Sequence, residues 1–154
     1  MEGAMKLLVY SAVFGGHDSV KKPQFREDGV TYHLFTDVDV PDEHGWDKVT
    51  ITDPSNNPRR EARRIKTSMP LDEASNGFDA TLWIDGNMNS TFPVRELVER
   101  WLQRRDFAAF IHPERQCVYD ETRHIVKLGK DTEASMTAAR RMLSQDDFPK
   151  NYGL

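Results

Sequence analysis

The chain of 154 residues has one cysteine, Cys117, so no internal disulfide can form. Sparing use of thiols fits a reducing compartment, and the cytoplasm is the expected location. No apolar run approaches the ~18 residues of a membrane span. Residues 1–6 also lack the charged region, apolar stretch and cleavage site of a secretory signal. No membrane partner is therefore expected. Bases are in deficit: 21 Lys and Arg stand against 25 Asp and Glu, for a net charge of −4. Phosphate backbones want a basic surface, so nucleic acid is not expected as a partner either. Internal repeats, low-complexity segments and the spaced glycines of a dinucleotide fingerprint are absent.

What is present describes a folded domain. Apolar residues make up 38% of the chain and aromatics 10%, enough for one core of ordinary size. The expectation is a single domain over 1–154, with 1–5 as a disordered start. The bases are concentrated. Residues 59–71 carry Arg59, Arg60, Arg63, Arg64 and Lys66 against Glu61 alone. One basic island in an acidic chain points to a local anion site rather than a polyanion track.

Lys6 to Phe14 is almost continuously apolar, as a strand buried on both faces would be, and it ends at Gly15-Gly16. Thr31–Thr36 and Lys48–Thr52 are predicted as further strands. Residues 53–58 are turn chemistry, and Pro58 suits the first turn of a helix over Arg59–Thr67 that stops before Pro70. Thr81–Asp85 is predicted as a fourth strand and Phe107–Ile111 as a fifth. Between them Val94, Leu97, Val98, Trp101 and Leu102 form an apolar stripe at helical spacing. Tyr119–Leu128 and Thr132–Leu143 read as helices, with Gly129 stopping the first. This alternation predicts an α/β fold with a mostly parallel sheet. Ligands of such sheets bind outside the carboxyl ends of the strands. Those ends carry Gly15-Gly16, Asp37, Asp85-Gly86-Asn87 and His112.

Each group has a chemical reading and a plain one. Asp85 and Asn87 can both turn toward one hard cation, Mn²⁺ or Mg²⁺, or they can simply make a β-turn. Arg59, Arg63 and Lys66 share a helix face that could neutralise a diphosphate or lie solvated. His112-Pro113-Glu114-Arg115 could bind sugar hydroxyls or move a proton, or be a polar loop. Of the tryptophans, Trp83 and Trp101 read as core, and Trp46 as the one free to meet a partner.

The order of the blocks carries more than any one of them. Tyr10–Asp18, Phe35–Asp37, Gly45-Trp46, Pro58–Arg63 with Lys66, Leu82–Asn87, His112–Arg115 with Tyr119, and Phe148–Asn151 follow one another in series. That series resembles the glycosyltransferase-like domain family long catalogued as a domain of unknown function. Its members include plant proteins of seed mucilage, pectin and pollen turgor, and bacterial and phage proteins. The resemblance implies a glycosyltransferase A-type, Rossmann-like three-layer fold, here ending early because relatives continue past the equivalent of Leu154. It implies transfer of a sugar from a nucleotide-sugar donor, with a UDP-sugar favoured, to a glycan or small-molecule acceptor.

On that reading Tyr10, Ser11, Phe14, Gly15, Gly16 and Asp37 would hold base and ribose, and Arg60, Arg63 and Lys66 the diphosphate. Asp85 and Asn87 would meet the diphosphate through Mn²⁺ or Mg²⁺, or touch the donor ribose. Asp85, His112 and Glu114 would be catalytic, and Arg115, Lys150 and Asn151 would lie by the sugar or acceptor. Two alternatives stand beside it. One is a non-catalytic nucleotide- or glycan-binding module, or a truncated piece of such an enzyme. The other is a phage-type glycosyltransferase of DNA bases.

Overall fold

The computed structural model describes residues 5–16, 18–40, 45–75 and 77–152, with the main chain alone at 70–75. At its centre runs β1 (Leu7–Val13), every residue of which is buried. An apolar run of this kind needs cover on both faces, and a parallel sheet supplies it. β2 (Val30–Thr36) and β4 (Ala80–Trp83) flank β1, and β3 (Asp47–Thr50) lies outside β2. The order is β3-β2-β1-β4, and all neighbours are parallel. In this register Tyr10 stands between His33 and Trp83. The α/β fold with a parallel sheet is thus as expected. The strand order adds a point the sequence did not supply. The chain steps outward from β1 through β2 to β3, then returns to the other side of β1 for β4. Such a reversal opens a crevice outside the carboxyl ends of the two strands that flank it, here β1 and β4.

Alternate residues of β1 face opposite sides of the sheet. Leu7 and Val9 join Val30, Tyr32 and Ala80 in a cluster that receives Val94 and Val98 of α2 (Val94–Leu102). Leu8, Tyr10, Ala12 and Phe14 join Phe35 in a second cluster that receives Ile65 of α1 (Pro58–Ser75). One helix therefore covers each face. The entry to α2 is fixed by charge. Glu27 accepts hydrogen bonds from the main-chain N–H groups of Val94 and Arg95, and a carboxylate is favoured at a helix N-terminus. The Arg95 guanidinium in turn donates to the carbonyls of Met5 and Gly29. Met5, expected in a disordered start, packs against the first cluster; residues 1–4 lie outside the described residues.

The helix predicted to end before Pro70 instead continues to Ser75. Proline inside a helix removes one N–H and leaves the carbonyl four residues earlier without its partner. That carbonyl belongs to Lys66. It accepts a hydrogen bond from the Tyr10 hydroxyl at 2.9 Å. The sheet thus supplies the donor that Pro70 lacks, and the helix passes through. The start of α1 follows expectation. Asn57 Oδ1 accepts from the Arg60 N–H at 3.1 Å, as an N-cap does, and Pro58 occupies the first turn.

Contacts divide the chain into two compact units, one ending at Asp106 and one beginning at Phe107. The second contains α3 (Val118–Lys127) and α4 (Glu133–Gln145). Gly129 follows α3 with φ of 63°, and its N–H donates to the carbonyl of Val126. Thr132 caps α4 by accepting from the N–H of Ser135. Arg140 of α4 donates to Thr122 of α3 and is held within its own helix by Glu133. The strand expected at Phe107–Ile111 does not form, and Phe107, Phe110 and Ile111 are 79%, 80% and 78% exposed. Apolar β-formers specify an extended chain, but only a distant partner can complete a ladder, and no pattern within five residues encodes that partner. Among the described residues no helix is long and apolar enough to cross a membrane.

Tyr10→Phe should destabilise the protein by about 1–3 kcal/mol, because a part-buried carbonyl loses the hydroxyl donor that stands in for the Pro70 N–H. In a Pro70→Ala background, where the helix regains its own N–H, the same change should cost about 1 kcal/mol or less. Urea denaturation of the four proteins measures this. Equal costs in both backgrounds would reject the substitution of Tyr10 for the missing N–H.

Candidate functional site

β1 runs out through Phe14 into Gly15 and Gly16, whose φ values of 64° and 63° lie in the left-handed region open to glycine. The Gly15 N–H donates to both carboxylate oxygens of Asp37, at 2.9 and 3.2 Å. Asp37, read as a base or ribose ligand, thereby ties the end of β1 to the end of β2. On the other side of β1, the Ile84 N–H donates to the carbonyl of Tyr10 at 3.0 Å and carries the β4 ladder one step beyond Trp83. Asp85-Gly86-Asn87 then turns, with the Met88 N–H on the carbonyl of Asp85. A Cβ on Gly86 would stand 2.5 Å from Val13 Cγ2. The turn therefore needs glycine because it descends onto β1, and this leaves Asp85 and Asn87 exposed at the crevice.

Asp85 Oδ1 accepts a hydrogen bond from the Trp83 indole N–H at 2.7 Å, and the Lys66 ammonium stands 3.4 Å from the same oxygen. Lys66 Nζ also lies over the Trp83 ring, 5.4 Å from its centroid. Edge-to-face packing of Trp83 on Tyr10, at 5.2 Å, seats the indole on the sheet. Tyr10 of β1, Trp83 of β4 and Lys66 of α1 thus converge with Asp85 of the turn at the carboxyl end of β4, beside the middle of β1. Each supports the next: Tyr10 holds the Lys66 carbonyl and the Trp83 ring, and Trp83 holds the Asp85 carboxylate. Burial pushes the Tyr10 hydroxyl up to about 12, so it stays protonated and donating.

Helical spacing places Arg59 and Arg63 on the flank of α1 that carries Lys66. Arg60 and Arg64 share the neighbouring stripe, and all five bases are exposed. Arg64 is committed: its guanidinium donates to Glu61, a buried carboxylate that also accepts from the Ser55 N–H. That guanidinium holds the Glu61 carboxyl below the usual range, against the opposing effect of its burial.

Of the residues read as a base pocket, Tyr10, Ser11 and Phe14 are only 2%, 2% and 3% exposed. They are buried within the sheet and present no open surface, with Tyr10 and Phe14 on the face of the second cluster. Trp46 does not stand free. Its indole N–H donates to the carbonyl of Lys21 and its ring packs edge-on against Tyr32. Trp101, read as core, is 59% exposed. Trp83 packs against the second cluster, as a core residue would, and its indole N–H also holds Asp85. The signal was available, since residues two apart along a strand share a face, so Trp83 and Asp85 were on one side from the start.

The remaining expected residues belong to the second unit. His112 Nδ1 accepts from the main-chain N–H groups of Glu114 and Arg115, at 3.2 and 3.1 Å, closing the turn on itself. Arg115 is held by Glu114 and Glu121 and meets His112 Nε2 at 2.8 Å. His112, Glu114 and Arg115 therefore form one network, with the ring serving the turn as an acceptor. Lys150 and Asn151 are exposed. Cys117, which caps α3, is buried. Its thiol is held below the ordinary value first by the Asn151 N–H and then by the N–H groups of Asp120 and Tyr119, while burial opposes them. No family model, curated protein or solved structure matches this chain.

The Tyr10 hydroxyl supplies a pH test. An unfolded tyrosine ionises near pH 10, whereas folded Tyr10 waits until about 12. Between those values the unfolded chain releases a proton that the folded chain keeps, so stability falls as pH rises. Urea denaturation at pH 9, 10 and 11 should show a shallower alkaline loss for Tyr10→Phe than for the wild type. Identical slopes would mean that Tyr10 ionises normally.

Proposed function

We propose that this chain binds a nucleotide-sugar at the carboxyl ends of β1 and β4 and transfers the sugar to a hydroxyl-bearing acceptor, as a glycosyltransferase of the A-type fold. The observation that carries the reading is the position of the Trp83–Asp85–Lys66 cluster. It lies at the reversal of strand order and beside the helix flank that bears Arg59 and Arg63. A parallel sheet presents ligands there, and this crevice pairs an exposed carboxylate with fixed positive charge. The two left-handed glycines leave room for a ligand to approach the main chain of β1.

The chemistry suits those charges. In the transfer, the bond between the anomeric carbon and the phosphate oxygen breaks, and its electron pair leaves with the nucleoside diphosphate. The acceptor oxygen forms the new bond to that carbon, and its proton passes to solvent. Negative charge grows on the diphosphate, and preorganised cations stabilise it more than they stabilise the intact donor. Arg60, Arg63 and Lys66 are the residues assigned to that work. Asp85 orients Lys66 and the sugar. Roles for His112, Glu114, Arg115, Lys150 and Asn151 toward sugar and acceptor follow from the resemblance alone. A UDP-sugar is the favoured donor on the same ground.

The test is thermal denaturation with UDP, GDP, CDP and ADP in turn. A ligand at 100 times its Kd adds about 2.7 kcal/mol of stability, which for a domain of this size raises Tm by several degrees. One nucleotide should stand out, and its sugar conjugate should support transfer. Asp85→Ala should keep the fold and lose about 100-fold or more in transfer rate, the scale of removing one preorganised electrostatic group. No shift with any diphosphate would overturn the proposal. Binding without transfer would leave a nucleotide-binding module.

A further inference from the structure

We infer that the positive charge set against Asp85 in this crevice, which meets the diphosphate together with Arg60 and Arg63, is the Lys66 ammonium, held in place by Asp85 and Trp83, and that no divalent cation takes part. The inference rests on the nucleotide-sugar reading above and deepens it. A-type glycosyltransferases generally bring a divalent cation to an acidic motif, so the donor set at Asp85 has to be tested against that role. It does not fit. Asp85 Oδ1 already accepts the Trp83 N–H and faces the Lys66 ammonium. Asn87 adds only an amide where a second carboxylate would serve a hard cation better. A dication on Asp85 would also stand against Lys66, and two cations sharing one carboxylate repel.

The same contacts make a good seat for an ammonium. Lysine has a compact charge on a flexible stem and needs orientation. Here Asp85 draws it from one side and the face of Trp83 supports it from another, at 5.4 Å. The helix beneath it is anchored at its own carbonyl by Tyr10. Trp83 is therefore a positioning residue, since its N–H fixes the carboxylate that fixes the lysine. With the metal removed from the scheme, Asp85 changes meaning. It no longer binds the diphosphate through a cation; it is a like charge that Lys66 must screen. Asp85→Asn, which keeps an oxygen to accept from Trp83 and Lys66 but removes the like charge, should then spare diphosphate affinity, whereas a metal-bridged site would lose it.

Titration calorimetry with UDP, GDP, CDP and ADP, in EDTA and in Mn²⁺, decides the matter. The diphosphate that binds should do so with Kd values within about threefold in the two buffers. Lys66→Met should weaken it about tenfold or more, the loss of one charge-assisted contact, and Lys66→Arg should restore most of that. Asp85→Asn should bind at least as tightly as the wild type, and Mn²⁺ alone should leave Tm unchanged. Binding that requires Mn²⁺ and vanishes in Asp85→Asn would overturn this inference while leaving the nucleotide-sugar reading intact. No binding of any diphosphate to the wild type in either buffer would overturn both.

Discussion

One hydrogen bond sets the geometry of everything that follows. Pro70 deprives the Lys66 carbonyl of its helical donor, and the hydroxyl of Tyr10, from the middle of the central strand, replaces it. Without an outside donor at that point the helix has reason to stop, and the sequence reads as if it does. With the donor supplied, α1 runs its full length and is held against the sheet near Lys66. The helix gains stability from the bond, and the same bond fixes the distance between a basic flank and the carboxyl ends of two strands. A local defect in one element becomes the means of locating another.

The electrostatic arrangement grows from that anchor. Tyr10 seats the Trp83 ring, Trp83 orients Asp85, and Asp85 faces Lys66. Lys66 and Asp85 are each about half exposed, so their direct attraction is screened and weak by itself. What makes the group specific is that every member is also held by a contact of another kind: an aromatic edge, an indole N–H or a main-chain carbonyl. A weak ion pair on a rigid support can present charge in a fixed place without contributing much to stability. That is what a site for a charged ligand requires, because the charge must already be oriented when the ligand arrives.

Much of the fold was legible. The buried character of Leu7–Val13, the amphipathic stripe at Val94 and Val98, and the stop at Gly129 are all short-range patterns. What went astray was long-range. Phe107–Ile111 has the composition of a strand but no ladder to join. Pro70 has the chemistry of a helix stop, but the compensating hydroxyl lies 56 residues away from the carbonyl it serves. The sequence neighbours of Trp83 and Trp46 do not reveal their partners, because the indole N–H groups are committed to Asp85 and to the carbonyl of Lys21. At the site, the sequence named Asp85, Lys66 and the glycines as residues of interest, and the resemblance gave them a common purpose. Neither showed that Asp85 and Lys66 meet, nor that Asp37 is tied to Gly15.

The sequence by itself determined an α/β chain with a buried central strand, helices of known faces and one basic island. These follow from periodicity and propensity, which act over a few residues. The tertiary structure alone decided the strand order, with its reversal at β1, and so which strand ends share a crevice. It also decided the length of α1 and the partner of each polar group in the Tyr10–Trp83–Asp85–Lys66 chain. Those outcomes depend on pairing between distant segments, where a single donor or acceptor finds its counterpart only after the sheet has formed.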